Sequence, residues 1–330
     1  MAGRSLAGIK PYIKKEAVPG TELLTSMVQL DGLRMVRLGR GGQAESFKGG
    51  TGKTASGVIL SDTWSEWSLT PASCYRTLGF VAASRISTAA TTTPGGATTA
   101  RQHVFTLNPN AVDAFATYTL VWTDGTIGYK SSYNAFQSLG FTAERGSVTV
   151  SSNVIGRAPA VTSTIPTTPT TTALKPIQPN KADAYFDTSW ATLGTTQALA
   201  CYQFDLQLGD KYDMDAPINS SITSFASLPE KEDQSITLNL SVAVDTAGDS
   251  LVTTYEAGGM IAVRYKVTGP IIEAAIPFSA QWDCLAVITQ VGEITAAPNS
   301  NIATIPLTCE IATDNTNALA LTLVNDVLTY

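Results

Sequence analysis

Regular alternation of hydrophobic and polar residues is the clearest pattern along this chain, and it predicts β-strands. One such segment follows residue 146, where valines alternate with small uncharged polar residues, namely Ser147, Thr149, Ser151 and Asn153. A second follows residue 234, where Ile, Leu and Val alternate with another polar set, namely Ser235, Thr237, Asn239 and Ser241. Because successive strand side chains point to opposite faces, each segment has one face for a core and one for solvent or a neighbour. Such strands are typical of antiparallel sandwiches and barrels.

Both segments belong to an internal repeat with the pattern F-x-S-L, a turn, and then E-x-x-S-[VI]-T-[VL]. The first copy spans residues 136–150 and the second spans residues 225–238, and their spacing differs by one residue inside the turn. A duplicated β unit explains the repeat, and a chance match of a short motif is the alternative.

Further elements follow from local signals. Alternation predicts strands within residues 57–70, 260–267, 276–291, 302–311 and 318–328. A helix over residues 71–85 is predicted because Thr70 is suited to cap it and Pro71 fits the first helical position. A second helix over residues 249–256 would end at the glycine pair 258–259.

The order of these elements predicts an all-β chain with two tandem β-sandwich or barrel domains, short flanking helices, an extended N-terminal arm and long loops. Residues 1–56 mix Gly, Lys and Arg with short apolar pieces and are interpreted as the arm. The first domain is predicted at 57–160 and the second at 180–330. Residues 161–179, rich in Pro and Thr, form the predicted linker, because proline at that density cannot join a β ladder. Residues 87–100 are predicted to be a mobile loop.

Charge is scarce and unevenly distributed. Charged residues make up 15% of the chain, and the net charge is −6. A surface so poor in charge suits a protein that is covered by neighbouring subunits, although a neutral Thr/Ser surface explains it equally. The arm is basic on an acidic body, which suits docking on a neighbour, although a solvated flexible terminus explains it nearly as well. Six of its cations, Lys10, Lys14, Lys15, Arg34, Arg37 and Arg40, are the candidate contacts with such a neighbour.

Candidate catalytic and metal-binding chemistry is weak throughout the chain. His103 is the single histidine, and the four cysteines lack C-x-x-C spacing, so we predict no metal site, no cofactor and no enzymatic activity. The glycine-rich segment 49–54 fails as a phosphate-binding loop because Phe47 occupies a required glycine position. Four aspartates around Lys211, at 205, 210, 213 and 215, are interpreted as a solvated acidic loop rather than a calcium site. No signal peptide or membrane-spanning run is recognised, so synthesis in a cytoplasm without membrane partners is expected.

Together these features resemble the major tail (tail tube) proteins of long, flexible-tailed, siphovirus-type bacteriophages. The resemblance rests on the strand 64–69 followed by the 73–78 helix start, on the strands 105–109 and 117–120, on the two repeat copies, and on residues 261–270. It covers most of residues 57–330 as a pattern of elements.

That resemblance implies a structural virion protein whose β-sandwich curls against its neighbours to close a ring around a channel. Rings of three two-domain or six one-domain subunits would stack into a tube, meet other tail proteins at its ends, and pass double-stranded DNA transiently during genome ejection. The polar strand faces named above are candidates for the channel lining or for contacts between subunits, and the six arm cations are candidates for contacts between successive rings. The rival interpretations are a capsid decoration protein and a carbohydrate-binding tail module.

Overall fold

The computed structural model describes residues 9–30, 32–40, 46–48, 55–58, 63–70, 73–162, 166, 175–198, 200–216, 224–297 and 301–330. Strands account for 52% of the described residues, and two α-helices occur among them. The predicted all-β fold is confirmed.

The strands run through the whole described chain. Before residue 163 they are β1 (Lys10–Lys15), β2 (Val28–Gln29), β3 (Leu33–Arg40), β4 (Ser46–Lys48), β5 (Ala55–Val58), β6 (Thr63–Leu69), β7 (Ala90–Thr92), β8 (Arg101–Thr106), β9 (Tyr118–Thr123), β10 (Gly128–Phe136), β11 (Leu139–Glu144), β12 (Ser147–Arg157) and β13 (Ala160–Thr162). After residue 174 they are β14 (Ala182–Asp187), β15 (Gln197–Ala198), β16 (Cys201–Leu208), β17 (Ile236–Ala243), β18 (Met260–Glu273), β19 (Ile276–Val291), β20 (Thr295–Ala296), β21 (Ala303–Ile311) and β22 (Leu319–Asn325). The helices are α1 (Tyr75–Arg85) and α2 (Thr246–Glu256).

Apart from the separate β4–β5 pair, the described strands form one connected antiparallel sheet. Its main order is β12–β11–β16–β17–β21–β19–β18–β14–β15. From β12 it branches to β6 and β3, and through β10 to β9, β1 and β2. From β19 it continues through β22 to β8 and β7. Strands of the two predicted domains therefore pair directly, as β11 with β16 and β8 with β22, and the proposed domain boundaries stay a prediction.

The core is shared in the same way. Phe141 of β11 lies at its centre, with ring centroids 6.1 Å from Phe204, 5.5 Å from Trp282 and 6.0 Å from Tyr265. Helix α1 packs into the same core and is buried over nearly its whole length. Aromatic and aliphatic side chains from both halves of the chain are therefore buried in one core, and the hydrophobic effect stabilises both halves together.

Both predicted helices form, with different starts. Helix α1 begins at Tyr75 rather than at residue 71, so Thr70 does not cap it, and Pro71 lies outside the described residues. The backbone before the helix is held instead by Lys175 and Ile177, because Tyr75 donates to the Lys175 carbonyl and Ile177 donates to the Ser73 carbonyl. Helix α2 begins at Thr246, and its N-cap Asp245 accepts hydrogen bonds from the amides of residues 247 and 248. Gly258, with φ +64°, ends α2 as predicted.

Two irregular segments expected from the sequence are ordered structure. Strand β1 pairs with both β2 and β9, and β3 pairs with β6, so the described part of residues 1–56 is largely integrated into the sheet. The loop expected at 87–100 contains β7, and Glu273 holds its end by accepting hydrogen bonds from the amides of Thr98, Thr99 and Ala100 at 2.9, 2.8 and 2.6 Å. Tertiary pairing, absent from local patterns, orders both segments.

The interpretation of a solvated acidic loop around Lys211 agrees with the exposure of Asp210, Asp213 and Asp215, but it is wrong for Lys211 itself. Its side chain is fully buried, and Nζ donates to the carbonyl of Ile86 at 2.9 Å. Asp113 and Glu230 are its ion-pair partners, although both lie outside the aspartate group that the sequence suggested. Burial is the main reason why the pKa of Lys211 is lowered.

Candidate functional site: a polar face of the sheet

The structure brings the polar residues of both repeat copies onto one face of one sheet. Strands β12 and β17 are separated only by β11 and β16, and β21 continues beyond β17. Directly paired residues of antiparallel strands point to the same side of a sheet. The polar positions of β12, β11, β16, β17 and β21 therefore align in three rows across these five strands. We call these three rows the polar face.

The rows follow from the register. The middle row consists of Thr149, Thr142, Asp205, Asn239 and Thr308. The rows on either side consist of Ser151, Gly140, Gln207, Thr237 and Glu310, and of Ser147, Glu144, Gln203, Ser241 and Pro306. Most of these side chains are partly or fully exposed, whereas Gly140 and Ser241 are buried.

The opposite face of the same strands is the core. Its two rows are Val148, Ala143, Phe204, Leu240 and Leu307, and Val150, Phe141, Leu206, Leu238 and Cys309, and all ten residues are buried. A shift of one residue in any of these strand pairings would exchange the two faces of the shifted strand. Burial of the two apolar rows therefore fixes the register and, with it, the positions of the polar face.

Asp205 organises the centre of the polar face. Its carboxylate accepts hydrogen bonds from Thr142 Oγ1 at 2.7 Å, from Gln207 Nε2 at 2.6 Å and from Asn239 Nδ2 at 3.2 Å. Three donors from three adjacent strands hold the carboxylate in place, because charge-assisted hydrogen bonds are stronger than neutral ones.

The polar face is acidic and carries no cation. Asp205, Glu144 and Glu310 lie in its rows, and no lysine or arginine occupies any of their positions. Hydroxyl and amide side chains supply the remainder. A surface of this composition offers no ion pair to phosphate groups.

Two candidate residues lie beside the polar face rather than in its rows. Asn153 continues along β12, where it is exposed and pairs with Ser68 of β6. Ser235 directly precedes β17 and is also exposed, and its carbonyl accepts a hydrogen bond from the amide of Gly209.

The candidate arm cations whose side chains the structure describes differ in their surroundings. Lys14 Nζ donates to the carbonyl of Ser26 at 3.3 Å, and Lys15 Nζ donates to the carbonyl of Tyr330. Lys10 and Arg34 are exposed, and the side chains of residues 37 and 40 lie outside the described set. Their role in ring-to-ring contacts stays a prediction.

The single histidine and the four cysteines occupy none of the positions of the polar face. His103 is buried, its Nδ1 is 2.9 Å from Thr91 Oγ1, and its Nε2 is 2.9 Å from the carbonyl of Val327. Burial lowers the His103 pKa, which favours the neutral ring. The four cysteines are free thiols. Among the described residues, no group of three or more His, Cys, Asp or Glu side chains is arranged to hold a metal ion.

Several residues of the polar face were not singled out from the sequence. Thr142, Gln207 and Thr308 occupy alternating positions in β11, β16 and β21, so the period-two signal was present in each strand. What the sequence did not contain was the neighbour order of the strands.

No protein-family model and no curated protein matches the chain. In the part of the chain that the structure describes, neither helix is long and apolar enough to cross a membrane.

Proposed function

We propose that this protein is a structural subunit of a phage tail tube, in which copies of the chain form stacked rings around a channel for DNA. The polar face carries the proposal. It joins both repeat copies in one continuous surface with three carboxylates and no cation.

Such a surface suits the lining of a DNA channel for a physical reason. Each lysine or arginine that contacts a phosphate releases counterions and adds affinity, so a cationic lining would retain the polymer. Hydroxyls, amides and carboxylates give no such gain, and DNA can slide past them. The same chemistry would be unremarkable on a solvent-exposed outer face, so the experiment must locate the face within the assembly.

Open sheet edges also support self-assembly. Strand β15 pairs only with β14 among the described strands, and β3 pairs only with β6. Unpaired edges are prone to join strands of another chain, and closure into a ring would protect them.

Electron microscopy of the purified full chain tests assembly. Rings or tubes with an open bore are expected, and rotational averaging would count three or six subunits per ring. A particle that stays monomeric at high concentration would refute the tail-tube proposal, and a compact oligomer without a bore would favour a decoration protein instead.

Cysteine accessibility separately tests the location of the polar face. Thr149→Cys lies in its middle row, and Asp249→Cys, on the exposed side of α2, is the matched control. In isolated subunits both should react with a bulky polyethylene-glycol maleimide, above the background of the native thiols. In tubes, residue 149 should react with a small maleimide but be protected from the bulky one. If residue 149 reacts with the bulky maleimide in intact tubes as it does in isolated subunits, the polar face lies on the outside of the tube. That result would leave the assembly itself established.

A further inference from the structure

Four charged side chains meet in the interior between the end of α1 and the segment that joins β16 to β17. Arg85 and Lys211 are fully buried, Asp113 is 8% exposed, and the Glu230 side chain is 16% exposed. Two cations face two carboxylates, so the cluster is electrically balanced. Buried charges require partners for their remaining hydrogen-bonding atoms as well as for their charge.

The Gln234 amide connects the Arg85 guanidinium to the Glu230 carboxylate on one side. Arg85 Nη1 donates to Gln234 Oε1 at 3.1 Å, and Gln234 Nε2 donates to Glu230 Oε1 at 2.6 Å. The second nitrogen and the second oxygen of the same two groups, Arg85 Nη2 and Glu230 Oε2, are both buried and have no hydrogen-bond partner among the described residues. Arg85 and Glu230 are thus linked through Gln234, and each has one further polar atom without a hydrogen-bond partner among the described residues. The atom on Arg85 is a donor and the atom on Glu230 is an acceptor.

The Lys211 ammonium also has fewer hydrogen-bond partners among the described residues than its three N–H donors can use. It makes one hydrogen bond of ordinary length, 2.9 Å to the Ile86 carbonyl. The distances from Nζ to Glu230 Oε1 and Asp113 Oδ2 are 3.5 and 3.8 Å. Both are longer than a normal N–H···O hydrogen bond, and polar contacts at such distances are commonly bridged by water.

We infer that this cluster is a binding site for one enclosed water molecule, which accepts a hydrogen bond from Arg85 Nη2 and donates one to Glu230 Oε2. Lys211 supplies its third partner, which matches the about three hydrogen bonds that a buried water usually makes. Because the four charges balance, a neutral ligand fits better than a halide. Water is also the simplest ligand that offers a donor and an acceptor at once.

Crystallography of the full chain tests the assignment directly. We expect a density peak within hydrogen-bond distance of Arg85 Nη2 and Glu230 Oε2, without an anomalous signal after a bromide soak. A bromide peak at this position would overturn the choice of water. Direct contact between the two atoms with no density between them would overturn the site itself.

A balanced double variant tests the same inference in solution. Arg85→Met with Glu230→Leu removes both unmatched atoms together with one positive and one negative charge. Oxygen-17 magnetic relaxation dispersion, which counts long-lived internal waters, should report one fewer than in the wild type. The control is Lys231→Met with Asp213→Leu, the exposed ion pair of the same segment, which should leave the count unchanged. An unchanged count in the folded double variant would contradict the inference, and the crystallographic test stands if that variant does not fold.

Discussion

Gly79→Ala in α1 sets two well-understood effects against each other. Alanine is the better helix former by about 1 kcal/mol in a helix interior, so the substitution would stabilise an unobstructed helix. At this position an added Cβ would lie 2.1 Å from Cζ, 2.4 Å from Cε2 and 2.5 Å from Cε1 of Tyr330. Either the tyrosine ring or the helix must move.

The Tyr330 ring has little room to move. It packs edge-on against Phe80 and His103 at centroid distances of 5.0 and 4.8 Å, and Asn325 Nδ2 donates to its hydroxyl. Overpacking a dense core typically costs about 1–3 kcal/mol, and contacts this short place the cost at the upper end. We therefore expect a net loss of about 1–2 kcal/mol in the free energy of unfolding.

A double-mutant cycle with Tyr330→Ala separates the two effects. Removing the ring should by itself cost about 3–5 kcal/mol, as for other large aromatic truncations in a core. In that background Gly79→Ala should become neutral or stabilising by up to about 1 kcal/mol, because only the helix propensity remains. Gly146→Ala, whose added Cβ meets nothing within 4 Å, controls for the general effect of replacing glycine.

Equilibrium denaturation monitored by circular dichroism and by tryptophan fluorescence measures all of these variants. Equal destabilisation by Gly79→Ala with and without the tyrosine ring would refute the steric argument. A stabilising effect in the wild-type background would refute it as well.

Four further predictions concern charge and assembly. Lys211→Met should lower the free energy of unfolding by about 3–5 kcal/mol, because it removes the ammonium partner of the buried Asp113 carboxylate and the partly buried Glu230 carboxylate. Lys231→Met, in a more exposed pair of the same segment, should change it by about 0–1 kcal/mol in the same denaturation assay. Glu273 has a pKa lowered to about 2, chiefly by hydrogen bonds from the backbone amides that it holds, so its contribution to stability is complete above about pH 4.5 and is lost as pH falls toward 2. Hydrogen exchange at those amides should accelerate as pH falls over that window, and the Glu273→Gln variant should not show this acceleration. Exchange that is independent of pH after correction for the intrinsic rate would contradict the prediction. Asp245→Ala removes the α2 N-cap and should cost about 1 kcal/mol by denaturation, and a cost near zero would show that the cap is dispensable. Thr142→Lys on the polar face should leave tubes intact but raise their retention of DNA, measured by filter binding, and added salt should reduce this extra retention. Retention equal to that of the wild type at every salt concentration would argue against a lining role.

Much of the local structure could be predicted from the sequence because it depends on short-range patterns. Period-two alternation located β12 and β17 and assigned the apolar side chains of both to the core. Gly258 marked the end of α2 because the left-handed backbone there favours glycine. The start of α1 was missed, since contacts with residues 175–177, a hundred positions away, decide where that helix begins.

The repeat shows how far a local pattern reaches. Its strands, β12 and β17, both form as predicted. The preceding parts differ, because Leu139 opens β11, which pairs with β12, whereas Leu228 lies outside the strands and contributes to a small separate cluster with Tyr212 and Phe225. Similar letters at equivalent spacing therefore do not establish two equivalent units.

By itself, the sequence determined the all-β class, and for strands such as β12 and β17 it determined the side that would be buried, since these follow from side-chain periodicity and from the free energy of removing apolar surface from water. Only the tertiary structure decided that β11 and β16 are neighbours and that Lys211 is buried. Those features depend on which distant segments pair and on the balance between desolvation and ion pairing within the folded interior. The polar face exists because two separately predictable strands were placed, by long-range pairing, on the same side of one sheet.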